Sequence, residues 1–332
     1  MINILYLYTI MIIFTGTGRF GNIFIRNFVG HLLYDKNIHE IIYEQSDNDF
    51  NLLNIKFNSS IDELIQLKIN KELKNICKLK KKNNNLNLNE IINITDINIH
   101  TKKIIQEYFI NKYSKKYIIF IDEIFLIDLI NNKIKLNKDY VYICKNIFCQ
   151  RINKYSFILK IIQYINNIDI PFVQNIINNN NFKDRYNNNN DIFIHIRSGD
   201  IYDSKKSEII PTFNYYKNII NNLKDKYSNI YICSNDKNNN IIKQLKNIYN
   251  ITYIEKGKIE NILFGSTCRY IIMSGGSYSF LFGLLSFYSK KVYFNRFHNK
   301  IYNKKLDKYE RWYPDYYIEF LKFNKKKYIL CE

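Results

Sequence analysis

Residues 192–200 read Ile-Phe-Ile-His-Ile-Arg-Ser-Gly-Asp, and the fold follows from how this stretch is parsed. An unbroken run of bulky residues, Ile192–Ile196, predicts a short strand buried on both faces, as strands of parallel sheets are. Polar residues and a glycine then end it. His195 and Arg197 lie two apart and therefore share a face. At the carboxyl edge of a parallel sheet that face opens into the crevice where ligands bind. Arg197 offers a planar cationic fork suited to a phosphate, and Asp200 a carboxylate able to pin a neighbouring side chain or loop amide. A strand ending in a salt-bridged turn is the plainer alternative. Against it stands the scarcity of both residue types, since only 8 of the 49 basic residues are Arg and the 332-residue chain has 10 Gly.

Downstream the chain alternates strand and helix. Pro211-Thr212 opens a helix whose apolar face is Tyr216, Ile219, Ile220 and Leu223. Strands are expected at Ile230–Cys233, Tyr270–Met273 and Lys291–Phe294, with helices at Asn239–Asn247 and Ser277–Tyr288. Upstream, strands are expected at Ile10–Phe14, Ile41–Tyr43, Tyr117–Ile121 and Tyr140–Cys144, with helices such as Ile23–Leu33 and Ile61–Leu73. Such alternation implies parallel sheets covered on both faces. Lys78–Asn89 is low-complexity and reads as a surface loop. The Asn-rich stretch Asn178–Asn190 lacks apolar periodicity and reads as the domain boundary. The expectation is an α/β chain of two Rossmann-like domains facing a cleft, residues 10–180 and 190–332.

Three glycines crowd into Gly16-Thr17-Gly18-Arg19-Phe20-Gly21, between an expected strand and an expected helix. Backbone N–H groups and a helix amino end are offered there to an anion. A tight structural turn is the alternative, and Glu44 could serve as a ribose-binding acid if the loop held a dinucleotide. A second glycine pair lies in Met273-Ser274-Gly275-Gly276-Ser277-Tyr278, where Ser277 is a natural N-cap and the glycines free amides for a phosphate. An ordinary strand-to-helix turn explains it equally simply. Ser234-Asn235-Asp236 closes another strand and carries turn-forming residues.

Composition narrows the classes. A hydrophobic share of 46% excludes a wholly disordered chain. The net charge of +19 fits an attraction to phosphorylated small molecules better than a nucleic-acid surface, because the lysines are strewn through Asn-rich segments. The six cysteines show no metal spacing and read as reduced core thiols in a cytoplasmic protein. Met1–Phe14 is apolar yet shorter than the ~20 residues of a membrane span. It reads as an apolar extension leading into the first strand, with a signal peptide as the alternative. No membrane span and no metal site are expected.

Gly16–Asn22, His195–Asp200, Pro211–Lys217, Ser234–Asp236 and Ser274–Ser279 together resemble, in order and spacing, the α-1,2-fucosyltransferases and their relatives over about residues 11–295. The resemblance implies a GT-B-like fold and metal-independent, inverting transfer of fucose from GDP-fucose to a glycan. It implies that Arg197 binds the diphosphate. Asn235, Asp236, Ser274, Ser277 and Tyr278 belong to the same donor site, and Gly18, Arg19, Gly21 and Asn22 face it from the other domain. His195, Arg197 and Asp200 are the catalytic candidates, with Asp203 and Glu208 as further candidates for the base that an acceptor hydroxyl needs. The chain departs from the family at Ser198, Ile23 and Gly275-Gly276, and no Trp follows Ser279. An NAD(P)-dependent oxidoreductase built on Gly16–Gly21, with Tyr108 and Lys112 as a Tyr-x-x-x-Lys pair, is the main alternative. A non-catalytic basic binding module is a third.

Overall fold

The computed structural model describes residues 10–15, 20–34, 40–43, 91–93, 110, 114–121, 123–145, 157–198, 211–295, 300–303, 308–311 and 317–331. The chain divides into two units, residues 1–47 with 56–149, and residues 150–332 with 48–55.

The first unit carries strands β1 (Met11–Thr15), β2 (Glu40–Tyr43), β3 (Ile91–Asn93), β4 (Tyr117–Ile121) and β5 (Tyr140–Lys145) in the order β2-β1-β5-β4-β3. All pairs are parallel except β3 with β4. The helix Phe20–Tyr34 follows β1 as the sequence predicts, although it begins earlier than Ile23. Its apolar residues are buried nearly all round, and Arg26, Asn27 and His31 are buried with them.

The second unit holds β6 (Ile192–Ile196), β7 (Ile230–Ser234), β8 (Ile251–Tyr253), β9 (Tyr270–Ile272), β10 (Lys291–Asn295), a separate antiparallel pair β11 (Lys300–Asn303) and β12 (Lys308–Arg311), and β13 (Tyr328–Cys331). The main sheet is parallel throughout and runs β13-β10-β9-β6-β7-β8. Numbered one to six in chain order, its strands stand in the Rossmann order 3-2-1-4-5-6. Both faces of β6 are covered. Ile192, Ile194 and Ile196 pack with Tyr216, Ile219 and Ile220 of the helix Phe213–Asn222 and with Ile242 and Leu245 of the helix Asn240–Lys246. On the other face Phe193 meets Phe282 and Phe264, at ring separations of 4.9 and 6.2 Å. Each of these fully buried Ile and Phe side chains contributes roughly 1.5–3 kcal/mol.

The division at residues 149 and 150 falls before Asn178–Asn190, the stretch read from sequence as a boundary. That stretch is knitted into the second unit by side chains. Asn180 donates to the Leu263 carbonyl at 3.0 Å, and Asn189 to the Thr267 carbonyl at 2.9 Å. Arg185 pairs with Asp191 at 2.7 Å, donates to the Thr267 hydroxyl at 3.1 Å, and lies 4.4 Å over the Phe264 ring. Its polar residues replace the backbone pairing that an ordered loop lacks, which is why no apolar period marks it. The expected helix Ile61–Leu73 and the loop Lys78–Asn89 lie outside the described residues. Among the described residues no helix is long and apolar enough to cross a membrane. Cys144, Cys233 and Cys268 are buried free thiols and Cys331 is a half-buried one.

Candidate functional site

In the second unit the chain leaves β6 toward β7 on one side, while β9 lies on the other and leads to β10. The crevice at such a reversal, beyond the carboxyl ends of β6 and β9, is where open parallel sheets bind ligands. Arg197 lies one residue past β6 and Ser274 two residues past β9. The last register pair of the two strands is Ile194 with Ile272. Beyond it the Ser274 hydroxyl extends the join, accepting the Arg197 backbone N–H at 3.1 Å.

Ser274 also meets His195 Nδ1 at 3.0 Å. The Ser274 hydroxyl, with one proton and two lone pairs, can serve Arg197 and the imidazole together, and the His195 tautomer sets which atom donates. His195 is 5% exposed, and its ring stacks on Phe282 and meets Tyr278 edge-on, both at 5.2 Å. Burial first, and then the nearby Arg197 charge, lowers its pKa from 6.5 to about 3. The imidazole is therefore neutral near pH 7. It lies buried beside Ser274.

The helix Ser277–Leu284 begins at the same point. Gly276 is its N-cap and Ser277 its first helical residue, with no side-chain cap. This corrects the expectation that Ser277 caps the helix. The serine that bonds locally is Ser279, whose hydroxyl accepts the Ser274 N–H at 2.9 Å. Gly276 has φ 92° and ψ 164°, a conformation essentially confined to glycine. A Cβ there would collide with the Arg197 guanidinium, lying 2.9 Å from its Cζ. The guanidinium thus rests against Gly276, the N-cap of a helix whose first-turn N–H groups have no intrahelical acceptor. A cationic fork and a helix amino end presented together form an anion-binding arrangement. Tyr278 walls it, donating its hydroxyl to the Lys258 carbonyl at 2.7 Å, and burial pushes that phenol well above its ordinary range.

At the end of β7, Asn235 grips the residue after Arg197. Its Oδ1 accepts the Ser198 N–H at 3.1 Å and the Ser198 hydroxyl at 2.8 Å, while its Nδ2 donates to the Ser198 carbonyl at 3.1 Å. Asp236 is exposed and accepts the Asn238 N–H at 2.9 Å. Hence His195, Arg197, Ser274, Ser277 and Tyr278 gather around one crevice edge, with Asn235 and Asp236 at the neighbouring strand end. Gly21 and Asn22 belong to the first turn of Phe20–Tyr34 in the other unit. Gly16, Gly18, Arg19, Glu44, Tyr108, Lys112, Asp200, Asp203 and Glu208 lie outside the described residues. Among the described residues no group of three or more His, Cys, Asp or Glu could hold a metal ion.

Two supports were not singled out from the sequence. Tyr215 donates to the Met273 carbonyl at 2.9 Å, and Tyr317 to the Gly276 carbonyl at 2.7 Å. Tyr215 belongs to the Pro211–Lys217 motif and had a signal. Tyr317 is one of 29 tyrosines and had none.

No family model matches the chain, and no curated protein matches it. Among solved structures the chain is similar to a crystal structure of POFUT1 in complex with GDP. The identity is 8%, the TM-score is 0.40, and the match covers 87% of this chain and 99% of that one. A likeness so distant carries no argument about function, which rests on the residues themselves.

Proposed function

We propose that this chain is a glycosyltransferase that binds a nucleoside-diphosphate sugar, GDP-fucose, at the carboxyl edge of β6 and β9. The reaction would be inverting transfer to a glycan hydroxyl without a metal ion. The observation that carries the reading is the Arg197 guanidinium held against Gly276 at the amino end of the helix Ser277–Leu284. As the sugar–phosphate bond breaks, the departing diphosphate gains negative charge, which fixed cations and amides stabilise. Arg197 supplies the fork, the amides of Ser277 and Tyr278 supply donors, and Ser274 and Asn235 hold the backbone that positions Arg197. The resemblance to α-1,2-fucosyltransferases supports fucose as the sugar, with the 190–332 domain holding the nucleotide.

An acceptor hydroxyl must lose its proton. His195, neutral and bonded to Ser274 below the surface, suits positioning better than proton abstraction, so the base falls to Asp200, Asp203 or Glu208. The oxidoreductase alternative draws on the Gly16–Gly21 motif but leaves the Arg197 arrangement without a task. The test is nucleotide release from a panel of sugar nucleotides in the presence of chelator. Release from GDP-fucose is expected. A strict need for Mg²⁺ or Mn²⁺ overturns the metal-free mechanism, and stabilisation by NAD(P) rather than GDP overturns the glycosyltransferase reading.

A further inference from the structure

Tyr317 lies 41 residues beyond Gly276, immediately before the short helix Ile318–Asn324, and is 1% exposed. Its ring is set among Phe280, Phe294 and Phe320 at 5.8, 5.9 and 6.4 Å. Its hydroxyl donates to the Gly276 carbonyl at 2.7 Å. The same carbonyl accepts the Phe280 N–H at 3.1 Å, the first bond of the helix Ser277–Leu284. Two donors therefore fix one oxygen, and a trans peptide is planar with its C=O and N–H opposed. Fixing the Gly276 oxygen fixes the direction of the Ser277 N–H, which leaves the helix at its amino end. Gly276 is also the residue against which the Arg197 guanidinium lies.

We infer that Tyr317 is a positioning residue for the diphosphate site. It locks the Gly276–Ser277 peptide so that the amide donor and the Arg197 fork present themselves as one preformed anion cradle. The inference rests on the proposed donor site at β6 and β9. It adds that the C-terminal segment, which reaches the cradle through this phenol, governs the affinity of that site for a nucleoside diphosphate. Preorganisation of this kind shows as binding strength, because an untethered peptide must be ordered on each binding event.

The experiment is calorimetric titration of GDP into the full chain, its Tyr317→Phe variant and its Phe320→Leu variant, well below each melting temperature. Tyr317→Phe keeps the ring and removes one hydrogen bond from a carbonyl that retains its helical donor. GDP affinity should fall about three- to tenfold while the melting temperature of the unliganded protein barely moves. Phe320→Leu loosens the same aromatic cluster without touching the carbonyl. It should lower the melting temperature and leave GDP affinity within about twofold of the parent chain. Wild-type affinity in Tyr317→Phe overturns the positioning role alone and leaves the donor site standing. Equal losses of affinity in both variants reduce Tyr317 to ordinary packing and also overturn it. A parent chain that binds no GDP overturns this inference together with the proposed function.

Discussion

Replacing Ser274 by alanine should cost more than a hydroxyl on one side chain ordinarily would. Ser274 is 1% exposed, accepts the Arg197 N–H at 3.1 Å and meets His195 Nδ1 at 3.0 Å. Ser274→Ala strands both groups in a buried place. At ~1–3 kcal/mol for each buried unsatisfied group, less what relaxation recovers, the loss of stability should be about 2–4 kcal/mol. His195→Phe keeps a ring against Phe282 and removes the partner of the Ser274 hydroxyl, so its cost should be about 1–2 kcal/mol. In the double variant Ser274→Ala strands only the Arg197 N–H. The pair should therefore be less damaging than the sum by about 1 kcal/mol or more, the signature of a shared bond. Urea unfolding of the four proteins at pH 7.5 measures each quantity. Additive effects, or a Ser274→Ala cost below about 0.5 kcal/mol, would refute the hub that joins β6 to β9.

Three further outcomes follow from the same geometry. The folded-state pKa of His195, about 3, lies below its ordinary 6.5, so in that interval the unfolded chain binds more protons and stability falls as pH falls. The parent chain should lose up to ~1.4 kcal/mol per pH unit between pH 6 and 4 from this group, and His195→Phe should flatten that slope; identical slopes in acid titrations would show that the imidazole is not kept neutral. Arg197→Ala should slow nucleotide release from GDP-fucose by on the order of 10²–10³ in a protein that remains folded by circular dichroism, and Arg197→Lys should restore little because the ammonium lacks the fork. Arg185→Lys forfeits the bond to Thr267 while an ammonium can still pair with Asp191, and should lower stability by about 1–2 kcal/mol without changing GDP affinity, as chemical denaturation and titration together would show.

Much of the second unit was legible because its strands are short, bulky runs closed by glycine or polar residues. Ile192–Ile196 has the bounds expected of it, and Tyr216, Ile219, Ile220 and Leu223 are buried as their spacing requires. The helix Glu123–Ile130 was missed because eight residues of mostly apolar character show no period that separates helix from strand. The edge strand Tyr328–Cys331 was missed for its length, since four residues carry little pattern. Asn178–Asn190 misled because its order comes from bonds to Leu263 and Thr267, some 80 residues away, which no local window contains. At the site, Arg197 and the Gly275-Gly276 pair stood out by rarity in a chain poor in both residue types. The contact between them did not, because it depends on two strand ends being neighbours. His195 illustrates the same limit: its burial against Tyr278 and Phe282 and its bond to Ser274 depend on residues some 80 positions away.

The claim that organises all of this is that the β6–β9 edge is a diphosphate site built on Arg197 and Gly276. Titration of GDP into the metal-free protein with chelator present, alongside Arg197→Ala, addresses it directly. The account predicts saturable, one-to-one binding to the parent chain and a loss of affinity of about tenfold or more in a folded Arg197→Ala. Binding of equal strength in the two proteins, or none in the parent, would contradict it.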